Sequence, residues 1–344
     1  MTAVLSDDDL AVLVDLGDLV GAVRAVHVDQ ALGRADQPVP ALVATGPGTV
    51  LLPMVATSHR LGLTAVKVLT DARDNGPQDG PAQQSTVILL DARAGTRLAV
   101  LAGGTCTRMR TAAATAVATD ALARPDSRIL GLVGAGPLAV EHVAALRRVR
   151  DFDDVVIWSR SAARVEQFRA ALRRREATDD LPTIEVRAAA DPRGVVAACD
   201  VLCTLTPAHT PVVEGDWFTP GLHVNAVGAP PRPDHREIDS RGMARSTVVV
   251  DSTDVVLQKS GEVLLSLADG TTTPGHYRTE LGAVLAGLAP GRTGADEITL
   301  FDSVGTPCRT SPSRRSPCTS TRVPTTPSCA RRRPPGSDLP GSTP

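Results

Sequence analysis

Apolar residues recur at helical spacing over residues 5–32, and Ser6 followed by Asp7, Asp8 and Asp9 has the composition of a helix start. Over residues 38–100 the pattern shortens to "GTVLLPMVA", "LTAVKVLT", "STVILLDA" and "TRLAVLA", broken by Gly, Pro and Asn, which predicts a mixed sheet. The Ala-rich stretch 111–123 predicts a helix, ended by Arg124 and Pro125. From Ser127 the rhythm changes. "RILGLV", "DVVIWS", "TIEVRA", "DVLCTLT", "GLHVNAVG" and "STVVVDS" are nearly continuous apolar runs, several of them separated by helical stretches. Strands buried on both faces read this way, so a doubly wound parallel sheet is predicted.

This pattern divides the chain. Residues 1–126 are expected to form a substrate-binding and dimerisation domain of α+β type. Residues 127–294 form a Rossmann-type dinucleotide domain, and "DEITLFDSVG" within 295–306 returns to the first domain. Beyond residue 306 the composition switches abruptly: residues 307–344 hold nine of the 27 prolines and seven arginines, with Val323 and Leu339 as the only large aliphatics. Such a segment cannot bury enough apolar surface to order itself. It is either a disordered basic tail or the out-of-frame product of a GC-rich gene.

Composition narrows the chemistry. Hydrophobic residues make up 42% of 344 but aromatics only 2%, so Val, Leu and Ala must fill the core. The formal net charge of -2 gives no reason to expect a nucleic-acid or membrane partner. The acidic start and the lack of a long apolar run point to a cytoplasmic protein. Six irregularly spaced cysteines suggest neither a disulfide framework nor a metal site.

The most specific local signal is "ILGLVGAGPLAVEHVAAL". Gly134, Gly136 and Ala139 form a GxGxxA pattern between a strand and a helix that opens with Pro137 and Leu138. Gly134 permits the tight turn, Gly136 leaves room for a pyrophosphate, and the helix N-terminus favours the anion. At the end of the next strand an acid would hold the ribose hydroxyl of NAD, but Ser159, Arg160 and Ser161 stand there. A guanidinium between hydroxyls suits a 2'-phosphate, so NADP(H) is expected to be preferred, with NAD(H) accepted. The alternative is that Arg160 only opens a solvated helix.

Taken in order, "AVKVLT" around Lys67, "GTCTRMRTAAATAVA" around Arg110, "GAGPLA", "PDHREID" and "DEITLFDSVG" resemble the ornithine cyclodeaminase and mu-crystallin family, which includes the archaeal type of alanine dehydrogenase. The resemblance covers residues 1 to about 306. It implies a homodimer built by a discontinuous first domain, which holds a small amino- or imino-acid across a cleft from the cofactor. It places Lys67 beside the substrate carboxylate and the reacting nitrogen, and pairs Arg110 with the carboxylate. A guanidinium grips a carboxylate through two parallel hydrogen bonds, and a lysine in an apolar strand can shift its pKa enough to exchange a proton. Thr107 and Thr111 steady this helix start, with Thr111 also in reach of a cofactor phosphate.

Two departures from the family pattern bear on this expectation. A second carboxylate-binding arginine is replaced by Ala41, which would either weaken the substrate grip or leave Arg34 to substitute, and the amphipathic helix after "SVG" is replaced by the proline-rich tail, which would weaken the dimer. The loop in "VNAVGAPPRPDHREID" adds a third difference. Cyclodeaminases of the family carry an aspartate where Pro230 stands, while the "PDHREID" portion resembles the mu-crystallin branch, whose members reduce cyclic ketimines. Asp234 is the carboxylate left in this loop to act as a catalytic group. An NAD(P)H-dependent imine or ketimine reductase is the leading expectation. Ornithine or lysine cyclodeaminase, an alanine-dehydrogenase-like oxidoreductase and a non-catalytic binding protein are the alternatives.

Overall fold

The computed structural model describes residues 2–46, 48–72 and 83–304. Its first half runs β1 (Ala3–Leu5), α1 (Asp7–Leu13), α2 (Leu16–Ala31), β2 (Ala35–Asp36), β3 (Val43–Gly46), β4 (Thr49–Ser58), β5 (Leu63–Ala72), β6 (Gln83–Asp91), β7 (Arg97–Ala102) and α3 (Gly103–Leu122). The strands form one mixed sheet, ordered β1-β7-β6-β5-β4-β2 with β3 on β4. Only β1 and β7 pair in parallel.

Ser6 caps α1 in a capping box with Asp9, an arrangement worth about 1 kcal/mol. The single helix expected over 5–32 is two. Asp15 accepts a hydrogen bond from Asp18 N–H and starts α2 afresh, and the apolar period runs on across the break. Helix α3 also begins earlier than its Ala-rich run. Gly103 and Gly104 look like a turn in sequence, but a Cβ on Gly103 would meet the Ser85 backbone oxygen at 2.3 Å. The glycine is there to seat the helix against β6.

The second half runs β8 (Ile129–Val133), α4 (Pro137–Leu146), β9 (Asp154–Trp158), α5 (Ala162–Thr178), β10 (Glu185–Ala188), α6 (Pro192–Ala198), β11 (Val201–Thr204), β12 (His223–Ala226), α7 (Ser240–Arg245), β13 (Thr247–Val250), α8 (Thr253–Lys259), α9 (Gly261–Ala268), α10 (Leu281–Leu285) and β14 (Thr299–Asp302). Its strands lie in the order β10-β9-β8-β11-β12-β14-β13, all parallel. The doubly wound α/β expectation is borne out. Strands β11, β12 and β14 are buried at every position, as helices on both faces require.

One assignment is corrected. The "DEITLFDSVG" strand does not return to the first sheet: β14 inserts between β12 and β13 of the second. A short, wholly apolar run fits either sheet, and only the pairing decides. Helix α3 packs against both sheets. Asn225 on β12 donates to Thr119 Oγ1 of α3 at 3.0 Å, a buried polar contact that fixes the helix over the second sheet. Residues beyond 304, including the tail expected from 307, lie outside the described residues.

Candidate active site

The strand order reverses between β8 and β11, where an open parallel sheet leaves its crevice. Gly134 sits there with φ +119, and a Cβ would lie 2.7 Å from the Leu205 carbonyl oxygen, so both conformation and space require glycine. Gly136 differs: nothing lies within 4 Å of a Cβ placed on it. That open space stands at the N-terminus of α4, whose first turn holds Pro137 and Leu138. A cleft of about 990 Å³ runs past Gly134 and Gly136 to Ser159, Arg160, Ser161 and Arg164. The open space over Gly136 at a helix N-terminus and the guanidinium of Arg160 are the groups that would suit a dinucleotide's phosphates. Arg164, in the first turn of α5, carried no signal of its own in the sequence.

A second cleft, of about 780 Å³, brings together residues distant in sequence. Lys67 and Asp71 come from β5, Arg108 and Arg110 from α3, Leu138 from α4, and the loop after β12 adds Gly228 to Arg232. Leu138 at the nucleotide helix therefore shares a cleft with Lys67 and Arg110. Lys67 is buried and donates to Thr107 Oγ1 at 2.8 Å, while Thr107 donates to the Gly103 carbonyl. Burial first, and the Arg110 charge second, bring the Lys67 pKa from 10.5 down to about 7. This amine can gain or lose a proton near neutrality. Thr111 also lines this cleft and donates to the Thr107 carbonyl at 2.7 Å, so its hydroxyl hydrogen is engaged within the helix.

Arg34, the expected substitute for the arginine missing at Ala41, is exposed and is not among the residues lining this cleft. Arg232 lines it instead. Its Nε and Nη2 hold the two carboxylate oxygens of Asp71 at 3.1 and 2.5 Å, tying the β12 loop to the first sheet. Arg232 carried no signal in the sequence, because its partner lies 161 residues away.

The loop is braced from beneath by Glu237. Its buried carboxylate accepts from Thr206 N–H at 2.5 Å, Thr206 Oγ1 at 2.7 Å, Thr204 Oγ1 at 2.8 Å and Gly228 N–H at 2.8 Å. One side chain thus anchors the segments that leave β11 and β12. Burial and the nearby Glu262 outweigh those donors and raise its pKa to about 7. Asp234 lies apart from both clefts' linings and its side chain is 68% exposed; its neighbour His235 is buried and lines the Lys67 cleft. The fold therefore gathers Lys67, Arg110, Thr111 and Leu138 around one cleft and Gly134, Gly136, Ser159, Arg160 and Ser161 around the other, and leaves Asp234 outside both.

A parallel sheet with a nucleotide-type turn, facing a mixed sheet across a cleft that holds a lysine and three arginines, defines a Rossmann-type α/β protein with a companion α+β layer. The chain belongs to the ornithine cyclodeaminase/mu-crystallin family, whose sequence profile matches residues 1–310. It is 34% identical to the ketimine reductase mu-crystallin of Rattus norvegicus over 252 residues, 73% of this chain and 74% of that one. The structure of the Delta(1)-pyrroline-2-carboxylate reductase of Thermococcus litoralis, in complex with NADH and L-proline, superposes with a TM-score of 0.82 at 31% identity, covering 88% of this chain and 92% of that one. An archaeal alanine dehydrogenase dimer with bound NAD gives 0.81 at 28% identity, covering 89% and 91%. The family expectation is thereby borne out. Among the described residues, no helix is long and apolar enough to cross a membrane.

Proposed function

We propose that this chain is an NAD(P)H-dependent reductase of a cyclic imine derived from a small α-amino acid. The observation that carries the reading is the shared cleft of Lys67, Arg110 and Leu138, which joins a proton source and a carboxylate grip to the nucleotide helix. Arg110 pairs with the substrate carboxylate, and the bound anion offsets the repulsion between Arg110 and Lys67. Lys67, in its ammonium form, gives a proton to the imine nitrogen, which makes the adjacent carbon electrophilic. A reduced nicotinamide, when bound, supplies the hydride for that carbon. Gly134, Gly136, Pro137 and Leu138 hold the cofactor's phosphates and ribose. Ser159, Arg160 and Ser161 favour the 2'-phosphate, so NADP(H) is the preferred cofactor although the two solved relatives above carry NADH and NAD.

Two features weigh against ammonia elimination. Pro230 lines the cleft at the position where the family's cyclodeaminases carry a carboxylate, and Asp234 is exposed and not among the residues that line it. The active form is a homodimer, as for the alanine dehydrogenase relative. The test is a spectrophotometric assay of five- and six-membered cyclic imino acids with NADPH and NADH, with ornithine and NAD+ assayed for ammonia. Imine reduction is expected, and Arg110→Ala should cut it by roughly a hundredfold. Ammonia release from ornithine without imine reduction would overturn the proposal. Cofactor binding without turnover of any imine would instead favour a binding protein.

A further inference from the structure

The segments leaving β11 and β12 bring His209 against Asp234 and His235 over the mouths of the two clefts. The His209 and His235 rings lie 3.6 Å apart between centroids. His209 Nδ1 is 3.7 Å from Asp234 Oδ2, and His235 Nδ1 is 3.1 Å from Asp234 Oδ1. One nitrogen from each ring and one carboxylate oxygen all fall within 4.8 Å of one another. From these distances we infer that His209, Asp234 and His235 form a binding site for one divalent transition-metal ion of the zinc class.

The ligand set decides the class. Two imidazoles and a carboxylate suit zinc, cobalt or nickel, whereas magnesium and calcium require oxygen ligands. Three protein ligands leave a coordination position for water.

The site is half fixed and half adaptable. His235 is buried, its N–H is held by the Arg232 carbonyl at 3.2 Å, and its own carbonyl sits where a Cβ on Gly261 would be 1.9 Å away. Its backbone is set by the fold, and its side chain is buried. His209 and Asp234 have side chains 64% and 68% exposed and can close the last fraction of an ångström onto an ion. Neither histidine indicated this in sequence, where no metal site was expected.

The test is a titration of the full chain, freed of metal by chelation, with cobalt chloride, followed by calorimetry and by visible absorption. One equivalent is expected to bind with nitrogen and oxygen ligands, and zinc chloride should displace it. His209→Ala, at an exposed position that the fold does not need, should weaken binding at least tenfold, and Asp234→Asn should do the same. Magnesium chloride should not compete. The proposal is overturned by a cobalt spectrum showing only thiolate ligation, by affinity unchanged in both variants, by equal competition from magnesium, or by no saturable binding.

Discussion

Replacing Lys67 by Met separates the energetic cost of this side chain from its use. The ordinary lysine pKa of 10.5 falls to about 7 in the folded chain, a difference of about 5 kcal/mol at 1.36 kcal/mol per unit. The sign follows from which form the fold disfavours. A depressed lysine pKa means that the ammonium form destabilises the folded state; the penalty is full below pH 7 and fades as pH rises towards 10.5. Met is close to Lys in volume and carries no charge, but it forfeits the hydrogen bond to Thr107, worth about 1 kcal/mol. The Lys67→Met chain should therefore be more stable than the native chain by about 3–4 kcal/mol at pH 6 and by close to nothing at pH 10. Urea unfolding followed by circular dichroism at both pH values reads this as a midpoint shift with an unchanged slope. The same substitution should lower imine reduction by roughly a hundredfold, and kcat/KM of the native chain should decline as pH rises through about 7, where the proton donor is lost. A stability change that is the same at pH 6 and pH 10 would refute the buried-cation reasoning, whatever happened to the activity.

Three further outcomes test the rest of the site. Gly136→Val should leave the unfolding midpoint nearly unchanged, because the space beyond it is open, and should abolish cofactor binding by calorimetry; normal binding would remove the pyrophosphate from that position. Native chain should bind NADPH at least tenfold more tightly than NADH, and Arg160→Asp should reverse the order; fluorescence titration giving tighter NADH binding to the native chain would sink the 2'-phosphate assignment. Glu237→Leu leaves the Thr206 and Gly228 N–H groups without their acceptor and should cost about 3–5 kcal/mol, whereas Glu237→Gln should gain on the native chain by about 2 kcal/mol between pH 5 and pH 8, since a raised acid loses stability as pH climbs through about 7; a pH-independent difference would count against an acid buried in this way.

What could be read in advance follows from the range over which each signal acts. Periodicity and turn chemistry are local, so the six parallel runs from "RILGLV" to "STVVVDS", the four long strands β4 to β7 of the first sheet and the Gly134–Gly136 turn stand where the sequence put them, while the short strands β1, β2 and β3 carried too few residues to show a period. The break at Asp15 was hidden because one cap can interrupt a helix without disturbing its apolar period. The early start of α3 was hidden because Gly103 serves packing against Ser85, and a glycine kept for close approach looks like one kept for a turn. Strand order is a different kind of information. Nothing within "ITLFD" distinguishes the first sheet from the slot between β12 and β13, since full burial selects the same residues in both.

The side chains that complete the candidate site were the least legible. Arg232 and Asp71 meet across 161 positions, and His209 reaches Asp234 and His235 from another strand end. The family pattern led to an arginine near residue 41, found Ala41, and turned to Arg34, the nearest basic residue in sequence. The fold answers with charge from the opposite side: Arg232 enters the Lys67 cleft from the loop after β12, and Asp71 holds it there. Asp71 takes the Nε/Nη2 edge of Arg232, so a substrate carboxylate on that edge would have to displace the pair. That pair fixes the β12 loop against β5, and in the proposed reaction Arg110 is the carboxylate partner. Arg110→Ala should then impair binding far more than Arg232→Ala, while Arg232→Ala should loosen the loop and leave Asp71 buried without its partner, at a cost of about 3 kcal/mol. If the two variants instead raised KM equally with no loss of stability in Arg232→Ala, the two arginines would share the substrate, and the pair with Asp71 would be one that the substrate displaces.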